Sequence, residues 1–151
     1  MPGKYFEELN VGDRFAHQPS RTVTETDNLL FSTLTLNPQP LHLDAEFARE
    51  SIHGQILVNS IFTLGLVVGL SVGDTTLGTT LGNLGFDKTV FPNPVFIGDT
   101  LTVSTRVVDK RESRSKPDRG IVRFAYTTRN DREIVATFKA IILVRRQTGA
   151  G

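Results

Sequence analysis

The eight residues from Asn37 to Asp44, Asn-Pro-Gln-Pro-Leu-His-Leu-Asp, concentrate the side chains of this 151-residue chain that could carry chemistry. Two prolines hold this backbone extended and remove two amide donors, so a helix cannot run through it. The stiff turn presents Asn37, Gln39 and His42 close together. An imidazole titrates near neutral pH, so His42 can exchange protons with a substrate. The alternative is an ordinary connection between two helices.

The segment before the turn is predicted to be a helix. Thr24 can cap its start, with acidic residues following in the first turn. The helix must end before Pro38, and it places Leu30, Phe31 and Leu34 on one face. The helix therefore delivers the chain directly into the proline turn.

Two further helices are predicted after the turn. Asp44 can cap a short one from Ala45 to Glu50, with Phe47 and Ala48 turned inward. The segment from Leu57 to Val72 is apolar nearly all the way round, the pattern of a helix buried on every side.

Most of the remaining chain is predicted to form strands, at 14–23, 79–90, 100–109, 121–128 and 134–144. The 100–109 strand alternates through Leu101, Val103, Thr105 and Val107, as a half-buried strand requires. Residues 129–132 predict a hairpin turn. This order predicts a single α+β domain over residues 1–151, an antiparallel sheet wrapped around the apolar helix.

Composition excludes several function classes. The 17 basic and 16 acidic residues nearly balance, whereas nucleic-acid-binding domains are usually strongly basic. The absence of cysteine excludes disulfides and thiolate metal sites, and no histidine or carboxylate spacing suggests another metal site. The start of the chain does not resemble a secretory signal, and the longest apolar run is shorter than the roughly 20 residues that a bilayer needs. We expect a cytoplasmic protein without nucleic-acid or membrane partners.

Two motifs resemble a known family. Asp27-x-x-x-Phe-Ser, followed from Asn37 by Asn-x-Gln-Pro-Leu-His-Leu-Asp-x-x-Phe-Ala, resembles the hydratase motif of the MaoC-like (R)-specific enoyl-CoA hydratases. A second segment, Phe-Pro-x-Pro-Val-Phe-x-Gly-Asp-Thr-Leu from Phe91, is shared more widely. The resemblance runs from about Tyr5 to Val144. It implies a hot-dog fold, an acyl-CoA substrate, no cofactor beyond the coenzyme A of that substrate, and a homodimer or a higher oligomer of dimers.

The resemblance also implies roles for individual residues. Hydrating an α,β-unsaturated thioester needs a proton carrier and donors for the enolate oxygen. His42 is the candidate for the first. By resemblance the backbone N–H of Ser60, beside Asn59, is the candidate for the second, although both residues could simply cap the helix. We expect His17 and His53 to be ordinary hydrogen-bonded polar residues.

Asn37 departs from the family pattern, because the usual residue there is an aspartate. Asparagine can orient a water molecule but cannot exchange a proton in this role. Either His42 does the proton transfer alone, or the chain binds acyl-CoA without turning it over. A thioesterase is a third possibility, because other hot-dog proteins hydrolyse such esters.

Gln39, a possible substrate contact, and the segment 110–120 resemble a branch that acts on branched dicarboxylic C5 acyl-CoAs such as mesaconyl-CoA. Residues 106–123 contain seven basic and three acidic residues, a local net charge of +4. Such a concentration suits the phosphates of coenzyme A, with Arg114, Lys116 and Arg119 as candidates. A solvated hairpin loop is the alternative.

Overall fold

A computed structural model describes residues 3–147 and contains, in that range, an antiparallel six-stranded sheet and three α-helices. The strands are β1 (Arg14–Ala16), β2 (Arg21–Thr22), β3 (Thr80–Val90), β4 (Thr100–Glu112), β5 (Arg119–Arg129) and β6 (Ile134–Arg145). The helices are α1 (Glu25–Leu34), α2 (Ala45–Arg49) and α3 (Ser60–Val72), with short 3-10 helices at Phe6–Glu8 and Pro40–His42.

The sheet has the order β1-β4-β5-β6-β3, and β2 also pairs with β4. The predicted alternation in β4 is confirmed, because Leu101, Val103, Thr105 and Val107 are all buried and the residues between them are exposed. The predicted β5–β6 hairpin is also confirmed. Its turn is closed by Asn130, whose Oδ1 accepts from two backbone amides.

The prediction of one strand over residues 14–23 is wrong. The segment forms β1 and β2, which pair separately with β4. Pro19 lies between them, and proline cannot donate a hydrogen bond to a strand ladder. The first strand is therefore interrupted where the sequence suggested continuity.

Helix α3 packs against one face of the sheet. Val67 is fully buried in the main core with residues of β4, β5 and β6, and Phe62 and Leu66 pack against a second cluster that includes Leu101. The prediction that this helix is buried on every side is wrong, because Ile61 and Gly65 are exposed. A single sheet can cover only one side of a helix.

The proline turn connects helices α1 and α2. The residues of α1 that are buried are Asn28 and Ser32, whereas Leu30 and Leu34 are more than half exposed. In α2 Ala48 is buried, but Phe47 is 50% exposed, so the prediction of an inward Phe47 is wrong. Neighbouring residues of a helix point about 100° apart, and α2 has a single face against the protein.

No helix within residues 3–147 is long and apolar enough to span a bilayer.

Candidate active site

The turn that carries His42 is held at both ends. The amide of Asn37 donates to the Ser32 carbonyl at 2.9 Å, and Asn37 Oδ1 accepts from the Gln39 N–H at 3.0 Å. The His42 N–H then donates to the Gln39 carbonyl at 3.0 Å, closing the 3-10 helix. Leu36, just before the turn, has a left-handed backbone with φ 57°. The backbone path of the catalytic candidates is thus closely determined.

The imidazole of His42 has a defined tautomer. Its Nδ1 lies 2.7 Å from the carbonyl oxygen of Leu57. Since a carbonyl can only accept, Nδ1 carries the hydrogen and Nε2 is left with a lone pair in the neutral ring. The half-buried ring is therefore arranged to accept a proton at Nε2.

Asn28 is the residue that joins the two halves of the site. Its Nδ2 donates to the carbonyl of His42 at 3.1 Å and to that of Leu57 at 3.4 Å, and its Oδ1 accepts from the Asn59 N–H at 2.9 Å. With only 1% of its surface exposed, it ties the His42 turn to the start of α3.

Sequence reasoning missed Asn28. The available signal was its spacing from Ser32, four residues on, which places two polar side chains on one face of a helix. Both are buried in the structure. Polar side chains on the buried face of a helix need specific hydrogen-bond partners.

The start of α3 lies beside this network. Asn59 is 4% exposed, and its Oδ1 accepts the Ile61 N–H at 3.0 Å, so it caps the helix as expected. Its Nδ2 donates to Ser32 Oγ at 3.5 Å. The first amides of a helix lack an intrahelical acceptor, and within the described range the Ser60 N–H has no other partner. That free amide and the helix dipole favour a negatively charged oxygen.

A cavity of about 320 Å³ opens next to Ser60. Its walls are the following residues: His53, Leu57, Val58, Ser60, Thr63, Phe91, Pro92, Asn93, Pro94, Val95 and Val135. His42 and the amides of Asn37 and Gln39 do not line it. His42 adjoins the cavity through Leu57, whose carbonyl oxygen accepts a hydrogen bond from the His42 ring.

The other two histidines differ from each other. His17 is 3% exposed, with Nδ1 2.8 Å from Asp74 and Nε2 2.8 Å from Thr105, which confirms the expected structural role. His53 departs from the expectation, because its ring makes no hydrogen bond to any residue of the described chain and lines the cavity.

An ion pair holds the start of α1, the helix that carries Asn28. The two terminal guanidinium nitrogens of Arg21, Nη1 and Nη2, donate to Asp27 at 2.6 and 2.9 Å. Asp27 also accepts from the Thr24 N–H at 2.8 Å in a capping box. The Arg21 hydrogen bonds hold the pKa of Asp27 well below its usual range.

The basic segment lies at the other end of β4. Arg114 and Lys116 are exposed at the β4–β5 turn, and Arg119 is paired with Asp118 at 2.8 Å. Leu101, near the start of β4, packs with Val58 and Val95 of the cavity wall. Eleven residues separate Leu101 from Glu112, which is roughly 36 Å of extended strand. Within one chain, the basic segment is therefore far from Ser60.

Residues 3–147 contain no cluster of three or more histidine and carboxylate side chains that could hold a metal ion.

Comparison with known proteins gives consistent results. The family described as the MaoC like domain matches residues 7–130. The chain is 33% identical over 153 residues to a mesaconyl-CoA hydratase of Haloarcula marismortui, covering 98% of this chain but 42% of that protein. The chain thus spans less than half of that relative.

Solved structures agree with the fold. The MaoC-like dehydratase of Rhodospirillum rubrum superposes with a TM-score of 0.82 at 34% identity, covering 96% of this chain and 99% of that one. A Mycobacterium tuberculosis protein with a double hot-dog fold superposes with a TM-score of 0.88 at 22% identity, over 99% of this chain and 46% of that one. The predicted hot-dog fold is confirmed.

Proposed function

Because this chain belongs to the MaoC-like domain family, we propose that it is a hydro-lyase that reversibly hydrates a 2-enoyl-CoA thioester and dehydrates the 3-hydroxyacyl-CoA. The observation that carries the proposal is the tautomer of His42. Its Nδ1–H is engaged by the Leu57 carbonyl, which leaves Nε2 as a base. Asn28 ties this base to the helix start at Ser60.

In the hydration direction, Nε2 of His42 removes a proton from water as the water oxygen bonds to the β carbon. The electron pair of the double bond shifts onto the thioester oxygen, which the Ser60 N–H and the dipole of α3 stabilise. The imidazolium then returns its proton to the α carbon, and the enolate collapses to the thioester. Histidine ends neutral, and the sum of the steps is the addition of one water. No separate cofactor takes part in these steps.

Asn37 is proposed to hold the attacking water. Its Oδ1 already accepts from the Gln39 N–H, so Nδ2 is the group that can donate to the water oxygen. Donation to the oxygen keeps a water proton directed at a base, which is compatible with His42 as the acceptor.

We propose a short, branched, carboxylated acyl group as the substrate, of the mesaconyl-CoA type. The relative from Haloarcula marismortui carries that name, and the cavity beside Ser60 is small and mostly apolar. Gln39 is exposed within the turn and is the proposed contact to the rest of the substrate.

The test is the rate of loss of thioester enone absorbance with a panel of 2-enoyl-CoAs that includes mesaconyl-CoA. His42→Gln should lower kcat by about 10²- to 10⁴-fold, the usual contribution of a positioned acid–base group. His17→Gln is the matched control, since His17 lies outside the site, and it should retain turnover below its unfolding temperature. No turnover on any thioester by the unsubstituted protein would refute the proposal.

A second candidate is a non-catalytic acyl-CoA-binding subunit. The observation that favours it is Asn37, which stands where the family resemblance places an acid. Calorimetric affinity for CoA esters without turnover of any of them would select this candidate, and release of free thiol would instead indicate a thioesterase.

We also propose a homodimer that forms through β3. This strand ends the order of the sheet and exposes Leu81, Leu84, Phe86 and Val90, each by 44% or more. Light scattering should give twice the monomer mass, and Leu84→Lys should reduce it.

Because the basic segment lies far from Ser60 within one chain, we propose that Arg114, Lys116 and Arg119 bind the coenzyme A phosphates of a substrate held at the other subunit of the homodimer. This proposal has a kinetic test. Replacing Arg114 and Lys116 together by Gln should raise KM for the thioester several-fold and leave kcat unchanged. An unchanged KM would identify the segment as a solvated loop.

A further inference from the structure

The cavity beside Ser60 contains a hydroxyl without a partner. Thr63 is 1% exposed, and its Oγ1 makes no hydrogen bond to any described residue. A buried hydroxyl that lacks a partner costs free energy, and most such groups in folded proteins have one. Because Thr63 also forms part of the cavity wall, a bound molecule could supply the missing partner.

Thr63 is placed suitably for the acyl part of a substrate. It lies three residues after Ser60 in α3, so the two share a face of the helix and are separated by about 4.5 Å along its axis. A thioester oxygen held at the Ser60 N–H would direct a short acyl chain along the cavity toward Thr63.

His53 provides a second unused donor in the same wall. Its ring contacts the Phe96 ring edge-to-face, with centroids 6.0 Å apart, but neither ring nitrogen bonds to a described residue. The backbone N–H of His53 donates to Ser51 Oγ at 3.1 Å, which fixes the start of the side chain. Each tautomer of a neutral imidazole has one N–H to donate.

The remaining wall is largely apolar, built from Leu57, Val58, Val95, Val135 and prolines. Asn93 is also present, but its Nδ2 already donates to the Ile134 carbonyl at 2.9 Å. Among the described lining residues there is no lysine or arginine. A group bound here is therefore recognised by hydrogen bonds in an apolar surrounding.

We propose that Thr63 and His53 form the specificity site for a carboxylate on the acyl group, carried at the carbon that accepts water. The two donors, together with the positive end of α3, compensate an anionic oxygen. A methyl group in that position would leave both donors unpaired. This inference rests on the proposed function for its substrate class, but it makes a separate claim about binding.

The test uses two saturated thioesters, which have no double bond to hydrate. Methylsuccinyl-CoA carries the carboxylate, and 2-methylbutyryl-CoA carries a methyl group in its place. Calorimetry should show that the first binds about tenfold to a hundredfold more tightly, the range expected for hydrogen bonds to a charged group.

Thr63→Val removes the hydroxyl at constant shape and should largely abolish this preference. The matched control is Thr128→Val. Thr128 is also fully buried with an unpartnered Oγ1, but it does not line the cavity. Both variants should melt at or above the temperature of the unsubstituted protein, since each loses an unpaired hydroxyl, and the control should keep the preference.

His53→Phe keeps an aromatic ring against Phe96 and removes the donors, so it should reduce the preference as well. Equal affinity for the two thioesters, tighter binding of the methyl compound, or equal effects of Thr63→Val and Thr128→Val would overturn the inference. A carboxylate preference in a protein that hydrates no thioester would sustain this inference and refute the hydro-lyase. Hydration of a thioester without a carboxylate preference would support the hydro-lyase and refute this inference.

Discussion

Replacing Asn28 by Ala should separate His42, the proposed proton carrier, from the proposed oxyanion site at Ser60. The change removes three hydrogen bonds, to the carbonyls of His42 and Leu57 and from the Asn59 N–H. The Leu57 carbonyl keeps the His42 ring as a partner, so two backbone groups are left unsatisfied. At about 1–3 kcal/mol for each, the free energy of unfolding should fall by about 2–6 kcal/mol.

Activity should fall further than stability alone requires. A displacement of about 1 Å at a reacting group can cost roughly 10²-fold in rate, and Asn28 is the only described side chain that bonds to both the His42 turn and the amide of Asn59. We therefore expect kcat to fall about 10²-fold while KM changes less. Urea unfolding and initial rates, measured below the unfolding temperature, give the two quantities separately.

Asn130→Ala is the matched control. Asn130 is also nearly buried, at 6% exposure, and accepts from the amides of Arg132 and Glu133 at the β5–β6 turn. Its replacement should cost comparable stability and little kcat. A normal kcat for Asn28→Ala, or an equal loss of kcat in Asn130→Ala, would refute the proposed role of Asn28.

Three further predictions concern the surroundings of the site. Leu36 is 88% exposed and has a left-handed backbone with φ 57°. Leu36→Gly should therefore stabilise the folded protein by about 1 kcal/mol and raise its Tm by about 2–4 °C. Leu36→Ala keeps the Cβ and should not raise the Tm. Arg21→Met should cost about 1–2 kcal/mol at neutral pH. The pKa of Asp27 is depressed in the folded state, so the free energy of unfolding lost by Arg21→Met should have its full value above about pH 4. The lost free energy should become smaller as the pH falls further and Asp27 is protonated. Acid unfolding curves that show the same loss at every pH would contradict this prediction. Asn37→Asp should preserve thioester affinity by calorimetry, and a loss of affinity would mean that the amide contacts the substrate.

The sequence by itself predicts β3 to β6 and the starts of α1 and α2 well, because these depend on local patterns. Alternation indicated the buried residues of β4, and Thr24 followed by acidic residues indicated the capped start of α1, both of which the structure contains. The proline turn is likewise a local feature, because the proline ring fixes the backbone angle φ whatever the tertiary contacts are. The position of His42 after that turn was therefore readable without a structure.

Burial was less predictable, because it depends on what covers an element. Phe47 and the outer side of α3 are apolar yet exposed, since composition does not say which face meets the sheet. Helix α1 shows the converse, because polar Asn28 and Ser32 are buried whereas its leucines are exposed.

The partners of the site residues were decided by tertiary structure alone. Residues of three separate segments meet at Asn28, whose bonds reach 14 residues to His42 and 31 residues to Asn59. The sequence determined that an imidazole would follow a rigid turn. Only the fold placed the Leu57 carbonyl against its Nδ1 and the unpaired Thr63 hydroxyl beside the cavity, because contacts between distant segments are set by packing and carry no local pattern.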